Sequence, residues 1–186
     1  MDETRLIIFV PIEPIEERYS QQWLGWFQEA FDLLKKRYIT VGDTKAQKIE
    51  TGQFLDVYKT HSYKFKQLQE IVELLQTIQE PVTVFFMDLW FPGLEAIAYI
   101  RDTTKKDIQI KGILHAGTYD PWDFLAQCGL GRWGSALEKS WLTLADEVFV
   151  ATEFHKALLV DARGHEFTQK IRTVQFPCYS NDQLRN

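Results

Sequence analysis

The sequence predicts an α/β protein with a doubly wound, mostly parallel sheet of six or seven strands and helices on both faces. Two observations lead to this prediction: short, continuously apolar segments recur along the chain, and longer segments with helical periodicity separate them. Continuous apolar runs are typical of strands that are buried on both faces of a parallel sheet. Strands that alternate with helices indicate crossover units around one sheet. The length of 186 residues fits one domain, which we expect to span 1–176.

The strands are predicted at the short apolar runs, in chain order. They cover 5–11, 38–41, 82–87, 108–114, 147–151 and 170–174. The run 82–87 is the most apolar of them, and we therefore expect it in the interior of the sheet.

Helices are predicted where apolar residues recur at helical spacing or where a capping sequence occurs. They cover 16–37, 62–78, 93–101, 135–144 and 153–162. The apolar side of helix 62–78 is predicted to consist of Phe65, Leu68, Val72, Leu75 and Ile78. A further short helix is expected at Asp120, with Asp120 as its capping residue and Pro121 in its first turn.

Charge and cysteine content exclude several classes of protein. The chain has 21 Lys and Arg residues and 26 Asp and Glu residues. The resulting net charge of −5 has the wrong sign for a protein that binds nucleic-acid phosphates across a whole face. The net charge therefore does not support direct nucleic-acid binding, and a local basic cleft is the alternative that it leaves open. Cys128 and Cys178 are far apart and form no CxxC motif, which excludes a disulfide scaffold and a thiolate zinc site. No histidine pair has metal-ligand spacing, so no metal site is expected.

The chain carries no recognisable targeting signal. Its first residues are acidic, the apolar run Leu6–Val10 is too short for a signal peptide, and no stretch approaches the roughly 20 apolar residues of a membrane span. A cytoplasmic location without a membrane span is therefore expected.

Aromatic residues are unusually frequent, at 14% of the chain. Several of them, including Tyr19, Trp23 and Phe27, recur on one side of the first helix. A heavy core would account for them, because aromatic side chains dominate core energetics. The alternative is that some of them line a binding cleft.

The loops that follow the strands carry the candidate catalytic residues, since ligands of open parallel sheets bind at the carboxyl ends of the strands. Asp88 ends the most apolar strand, and a carboxylate there needs a partner or a function because its desolvation is costly. His115 occupies the same position one strand later and could bind a hydroxyl, orient a phosphate or act as a base. Helix capping for Asp88 and a structural role for His115 are the alternatives.

Two further segments were considered as ligand loops. The loop 12–18 contains carboxylates where a phosphate site would need glycines, so it suits hydroxyls or cations better; helix-capping charge is the alternative. Residues Gly129 to Gly134 match GxGxxG, but a dinucleotide site requires a strand directly before the first glycine. Because 120–128 predicts a helical turn instead, a glycine-rich link between two helices is the alternative interpretation.

Residues 138–154, EKSWLTLADEVFVATEF, resemble a recurrent stretch of GT-B glycosyltransferases, in which a helix ending in "AD" leads into a strand and a Ser/Thr turn. Together with the turns at Asp88 and His115, they are similar to the N-terminal, acceptor-side Rossmann-like domain of that family. The segments 11–23 and 88–100 also resemble glycosyltransferases of tailed phages. The resemblance implies transfer of a sugar from a nucleotide-sugar, acting as co-substrate and not as a resident cofactor, to a hydroxyl acceptor.

The resemblance also implies roles for individual residues. His115 would contact the sugar or phosphate, and Asp88 would lie near the acceptor, as its base if the enzyme inverts. The implied substrate-binding residues are Glu13, Glu16 and Arg18 in the first loop, Trp90 and Tyr119 as stacking walls, and Thr152 and Glu153 at the rim. We expect Asp88, His115 and Thr152 to surround one shared hollow.

A GT-B enzyme needs a second Rossmann-like domain or subunit that holds the nucleotide-sugar. We therefore expect 177–186 to be a tail or the start of a linker to such a domain, and this chain alone to be inactive. Two alternatives remain open. One is a non-catalytic α/β module that binds a nucleotide or a glycan, and the other is an NAD-dependent enzyme built on the glycines at 129–134.

Overall fold

The computed structural model describes residues 5–16, 18–46, 48 and 56–176. Its six strands form one all-parallel sheet, which confirms the predicted α/β class and its Rossmann-like general kind. The strands are β1 Leu6–Val10, β2 Tyr38–Thr40, β3 Val82–Phe86, β4 Ile108–Ile113, β5 Glu147–Val150 and β6 Ile171–Thr173. Their order in the sheet is β2-β1-β3-β4-β5-β6, so the most apolar strand, β3, lies in the interior as predicted. The segment 177–186, with Cys178, lies outside the described residues.

In the residues that the structure describes, six helices connect the strands. They are α1 Tyr19–Leu33, α2 Val57–Thr77, α3 Leu94–Thr104, α4 Phe124–Gln127, α5 Gly131–Leu144 and α6 Glu153–Arg163, and a 3-10 turn, His165–Phe167, follows α6. Among the residues placed in the structure, no helix combines the length and the apolar character needed to cross a membrane.

The starts of α4 and α5 differ from the prediction. Asp123, and not Asp120, is the N-cap of α4, because the Asp123 side chain accepts from the Leu125 N–H while Asp120 closes the preceding turn with the Trp122 N–H. Helix α5 begins at Gly131, four residues before the predicted start. Gly134 was therefore misinterpreted as a loop residue. A Cβ atom there would lie 2.7 Å from Thr118 Cγ2, so a glycine is needed where α5 approaches the loop after β4.

The buried side of α2 also differs from the prediction. Phe65 and Val72 are 56% and 38% exposed, so their predicted place on the apolar side was wrong. The buried residues follow an i, i+4 row instead and are Tyr63, Gln67, Ile71 and Leu75. Gln67 is polar, so this buried row does not appear in the sequence as a continuous apolar pattern. Gln67 is accommodated there because its Nε2 donates to the Pro11 and Val41 carbonyls, at 2.9 and 3.2 Å.

The two faces of the sheet are covered unequally. Helices α2, α3, α5 and α6 pack on one face, over residues such as Ile8, Val84 and Ile110. In the described part of the chain, α1 is the only helix on the other face, where Trp23 and Leu24 contact the neighbouring strands. Right-handed crossovers explain this arrangement: the step from β1 to β2 runs in one direction along the sheet, and all later steps run in the other.

The strand order also locates the ligand-binding edge. The chain leaves β1 toward β2 and later returns to β3 on the opposite side of β1, so the topological switch point lies between β1 and β3. In such sheets a crevice opens beyond the carboxyl ends of these strands. Here that crevice is bordered by the loop after β1 and by the loop that runs from Met87 to Gly93.

Candidate functional site at the carboxyl edge of the sheet

Asp88 lies at the switch point, immediately beyond β3. Its Oδ1 accepts a hydrogen bond from the Trp90 N–H at 3.1 Å, and its Oδ2 lies 3.9 Å from Lys64 Nζ. The N-cap of α3 is Gly93, so Asp88 closes a turn and does not cap that helix. Its side chain remains 23% exposed. The carboxylate is thus held in place and can still accept a hydrogen bond from a ligand.

Lys64 is the cation of this site, and it reaches the edge from α2. Its ammonium group donates to the Trp90 carbonyl and lies beside Asp88. Burial lowers the pKa of Lys64, whereas the carboxylates of Asp88 and Glu13 raise it. No feature of the sequence marks Lys64 as functional, because it lies within a helix and not in a loop that follows a strand.

Glu13, in the loop after β1, is the second carboxylate that acts on Lys64. It is buried, and its Oε2 accepts a hydrogen bond from Thr60 Oγ1 at 2.8 Å. Two carboxylates, Glu13 and Asp88, thus act electrostatically on the Lys64 ammonium at the crevice between β1 and β3. Of these two acids, Asp88 is the more accessible.

His115 follows β4, the strand next to β3. Its Nε2 lies 2.8 Å from the Met87 carbonyl oxygen. Because a carbonyl only accepts, Nε2 carries the hydrogen, and Nδ1 of the neutral ring is left as an acceptor. The rings of Tyr19, Trp23 and Phe176 surround the imidazole at centroid distances of 5.7, 5.1 and 5.3 Å. The bond to Met87 joins His115 to the residue that precedes Asp88.

Tyr19 completes this group from the first turn of α1. Desolvation by the surrounding protein and the Asp88 carboxylate raise the pKa of Tyr19 to about 12, and the nearby Arg18 acts to lower this pKa. The phenol is therefore protonated at neutral pH and can donate a hydrogen bond. Tyr19 was predicted on the aromatic side of the first helix, but its side chain is half exposed.

A second cluster lies further along the edge, beyond β4 and β5. Tyr119 is buried, and its hydroxyl oxygen lies 2.5 Å from His155 Nε2 with the two rings stacked. Burial and, secondarily, the proximity of His115 lower the pKa of His155, while Asp120 raises it. Burial is also the main cause that raises the pKa of Tyr119. The Tyr119 ring is thus engaged by His155 and by the Arg163 guanidinium, whose carbon lies 5.6 Å from the ring centroid.

The lowered pKa of His155 predicts a loss of stability in acid. Since the unfolded chain has a histidine pKa of about 6.5, it takes up the proton first, and the stability that the neutral ring contributes is lost as the pH falls below about 6.5. We expect the melting temperature of His155→Gln to fall less between pH 7 and pH 5 than that of the wild type. His165→Gln is the matched control, since that ring is exposed. Equal slopes for all three proteins would contradict the prediction.

Glu138 joins the loops of the two clusters from inside the protein. Its carboxylate accepts hydrogen bonds from five donor atoms: Trp90 Nε1, the Thr118 N–H and hydroxyl, and Arg163 Nε and Nη2. The Trp90 indole, predicted as a stacking wall, is tied to Glu138 and packs edge-on against Trp141 at a centroid distance of 5.0 Å. Neither Glu138 nor Arg163 was a candidate from the sequence.

The remaining predicted residues lie around the rim. Thr152 is the N-cap of α6, because its Oγ1 accepts from the His155 N–H at 3.0 Å, and Glu153 is exposed in the first turn of that helix. Glu16 is exposed with its carboxylate 3.7 Å from Lys48 Nζ, and Arg18 is the N-cap residue of α1. The structure thus bonds His115 to Met87, the residue before Asp88, whereas the Thr152 hydroxyl is engaged in capping α6.

The glycines at 129–134 do not have the setting that a dinucleotide site needs. Helix α4 precedes Gly129, and Gly131 already begins α5, so no strand leads into this loop. Across the described part of the chain, no three His, Cys, Asp or Glu side chains are grouped so that they could hold a metal ion.

Comparison with known proteins assigns no family to this chain. No protein-family model matches it, and no curated protein matches its sequence. The general Rossmann-like kind of the fold follows from the order and direction of the strands.

Proposed function

We propose that this domain forms the acceptor side of a GT-B glycosyltransferase, which transfers a sugar from a nucleotide-sugar to a hydroxyl acceptor. One observation carries the proposal: His115 Nε2 bonds to the carbonyl of Met87, the residue before Asp88, so the imidazole that follows β4 is fixed to the strand end that carries the carboxylate. A carboxylate and an imidazole acceptor on adjacent strand ends, with the Tyr19 phenol as a donor, form a set that suits the hydroxyls of a sugar.

Asp88 is the proposed residue for the acceptor hydroxyl. In an inverting transfer its carboxylate would take the hydroxyl proton as the oxygen attacks the anomeric carbon and the nucleoside diphosphate leaves. The Lys64 ammonium lies 3.9 Å from Asp88 Oδ2, so a cation stands beside the proposed base. In a retaining transfer Asp88 would bind the hydroxyl without acting as its base.

His115 is the proposed contact for the transferred sugar or for the donor phosphate. Its Nδ1 can accept from a sugar hydroxyl when the ring is neutral, and a protonated ring can donate to a phosphate. The nucleotide-sugar would be held by a second Rossmann-like domain or subunit, which would approach the rim at Thr152 and Glu153. The proposal retains the cytoplasmic setting that the sequence favours.

A second candidate function is a non-catalytic module that binds a glycan or a nucleotide. It is favoured by the hydrogen bonds that already occupy the Glu13 carboxylate and the Thr152 hydroxyl. These two groups would then shape a binding surface without taking part in chemistry. The two candidates differ in whether a nucleotide-sugar is consumed.

The test is sugar transfer by the product of the complete native gene, measured as release of nucleoside diphosphate from a panel of nucleotide-sugars and glycoside acceptors. Asp88→Asn keeps an oxygen for the Trp90 N–H but removes the charge, and we expect it to slow an inverting transfer by about 10²–10⁴-fold. His115→Gln keeps a donor for the Met87 carbonyl and should also impair transfer.

The controls are Asp161→Asn and His165→Gln, which alter exposed side chains and should leave transfer unchanged. Transfer that neither Asp88→Asn nor His115→Gln impairs would contradict the proposed roles. Binding of glycosides by saturation-transfer NMR without consumption of any nucleotide-sugar would favour the binding module.

A further inference from the structure

The face of the sheet that α1 covers holds an open apolar trough beside that helix. Its floor includes Phe85, Ile113 and Phe149 from three adjacent strands, and α1 contributes Trp26 and Phe27 to its wall. The cavity has a volume of about 390 Å³. This volume lies within the range of about 300–1,000 Å³ that small-molecule sites occupy. Part of the high aromatic content therefore lines a cleft and does not fill the core.

The apolar floor of the trough has a polar border on the side of the outer strands. Beyond its apolar floor, Lys111 and Arg172 both pair with Glu147 across the outer strands, so the sheet becomes polar there. The floor from Gln109 to Ile113 extends over five residues of β4, which is about 13 Å along the strand. An apolar floor of this length can accommodate an aliphatic chain.

The charges along the trough are of one sign. Arg5, Lys36 and Lys111 line it, and none of its described lining residues is Asp or Glu, although the chain as a whole carries a charge of −5. Asp107 pairs with Arg5 at 2.6 Å, and Lys111 lies 3.1 Å from Glu147, a carboxylate that it shares with Arg172. Within the described residues Lys36 has no ion pair.

Arg5 does not present a second free cation to the trough. Its Nη1 and Nη2 atoms donate to Val82 and Asp107, but its Nε is buried without a hydrogen-bond partner. Because that atom is enclosed by the protein, it offers no donor to a ligand in the trough. The lining cation without an ion pair is Lys36, and it matches a ligand that carries an anionic group.

We propose that this trough binds a free, single-tailed anionic amphiphile of the fatty-acid type. The aliphatic tail lies along the sheet over Phe85 and Phe149, and the carboxylate lies at Lys36. This site is separate from the residues proposed for sugar transfer and does not depend on that proposal.

The test is calorimetric titration of the chain with decanoate below its micelle concentration, with decanol as the uncharged comparison. An apolar surface alone would prefer the less soluble alcohol, so tighter binding of decanoate would show that the cation contributes. We expect Lys36→Glu to weaken decanoate binding by about tenfold or more. Lys35→Glu is the matched control: this neighbouring residue is exposed and does not line the trough, so its effect should stay within about twofold.

A second variant tests the cavity itself. Ala30 lines the trough from α1, and Ala30→Trp should fill the space and abolish decanoate binding while the circular dichroism spectrum stays unchanged. Absence of decanoate binding by the folded wild type, or equal binding of decanol and decanoate, would overturn the proposal. A wild-type dimer in sedimentation velocity that Ala30→Trp converts to a monomer would also overturn it, since a second copy would then occupy the trough.

Discussion

Replacing Glu138 by alanine is expected to lower the free energy of unfolding by about 3–5 kcal/mol. The Glu138 side chain is 0% exposed, and that of its partner Arg163 is 10% exposed. The substitution leaves the guanidinium buried without its carboxylate, and it also removes the acceptor of Trp90 Nε1 and of the Thr118 N–H. Uncompensated burial of these groups, and not the lost attraction alone, accounts for the size of the effect.

Urea unfolding followed by circular dichroism measures this loss. Glu73→Ala is the matched control, because Glu73 also lies within a helix but is exposed, and its substitution should change the free energy by less than about 0.5 kcal/mol. Adding Arg163→Met to Glu138→Ala should recover part of the loss, because the unpaired buried charge is then gone. Similar losses for Glu138→Ala and Glu73→Ala would refute the structural role assigned to Glu138.

Replacing Phe9 by alanine is the second large effect, with an expected loss of about 3–5 kcal/mol. Phe9 lies in β1, is 0% exposed, and contacts the rings of Phe27, Phe31 and Phe85 at centroid distances of 5.6, 5.3 and 6.2 Å. Phe27 and Phe31 belong to α1, so the substitution leaves a cavity under the helix that covers this face. The cost combines the lost transfer free energy with that of the cavity.

Hydrogen exchange measured by mass spectrometry distinguishes this effect from a general loss of stability. In Phe9→Ala, amides of α1 should exchange faster relative to those of α3, which packs on the opposite face. Phe65→Ala is the control, since that ring is 56% exposed and its loss should cost less than about 1 kcal/mol. Uniform acceleration of exchange across both faces would contradict the local role of Phe9.

The positions of the strands could be predicted because β1 and β3 are buried on both faces and therefore read as unbroken apolar runs. The start of α5 could not, because Gly134 serves a close contact with Thr118 and looks like a loop residue in the sequence. The buried row of α2 was missed for a similar reason: Gln67 is polar but satisfies its Nε2 group by hydrogen bonds to two backbone carbonyls.

The residues of the candidate site could likewise be predicted from the sequence only in part. Asp88 and His115 could be proposed from the sequence, since residues that follow adjacent parallel strands meet at one edge. Lys64 and Glu138 could not, because each reaches the site from a helix. The contacts of Trp90 with them join residues 26 and 48 positions apart. No local pattern encodes such contacts.

By itself, the sequence determined which segments form strands and which form helices, because burial on one or two faces leaves a periodic apolar pattern in the chain. Only the tertiary structure decided which helix covers which face. That outcome depends on the direction of each crossover along the sheet and on its right-handed sense, neither of which is a property of any single segment. The step from β1 to β2 runs in the opposite direction to all later steps, and therefore α1 alone covers its face of the sheet in the described part of the chain. The apolar trough lies beside α1 on this face, and its lining residues become neighbours only when the sheet is complete.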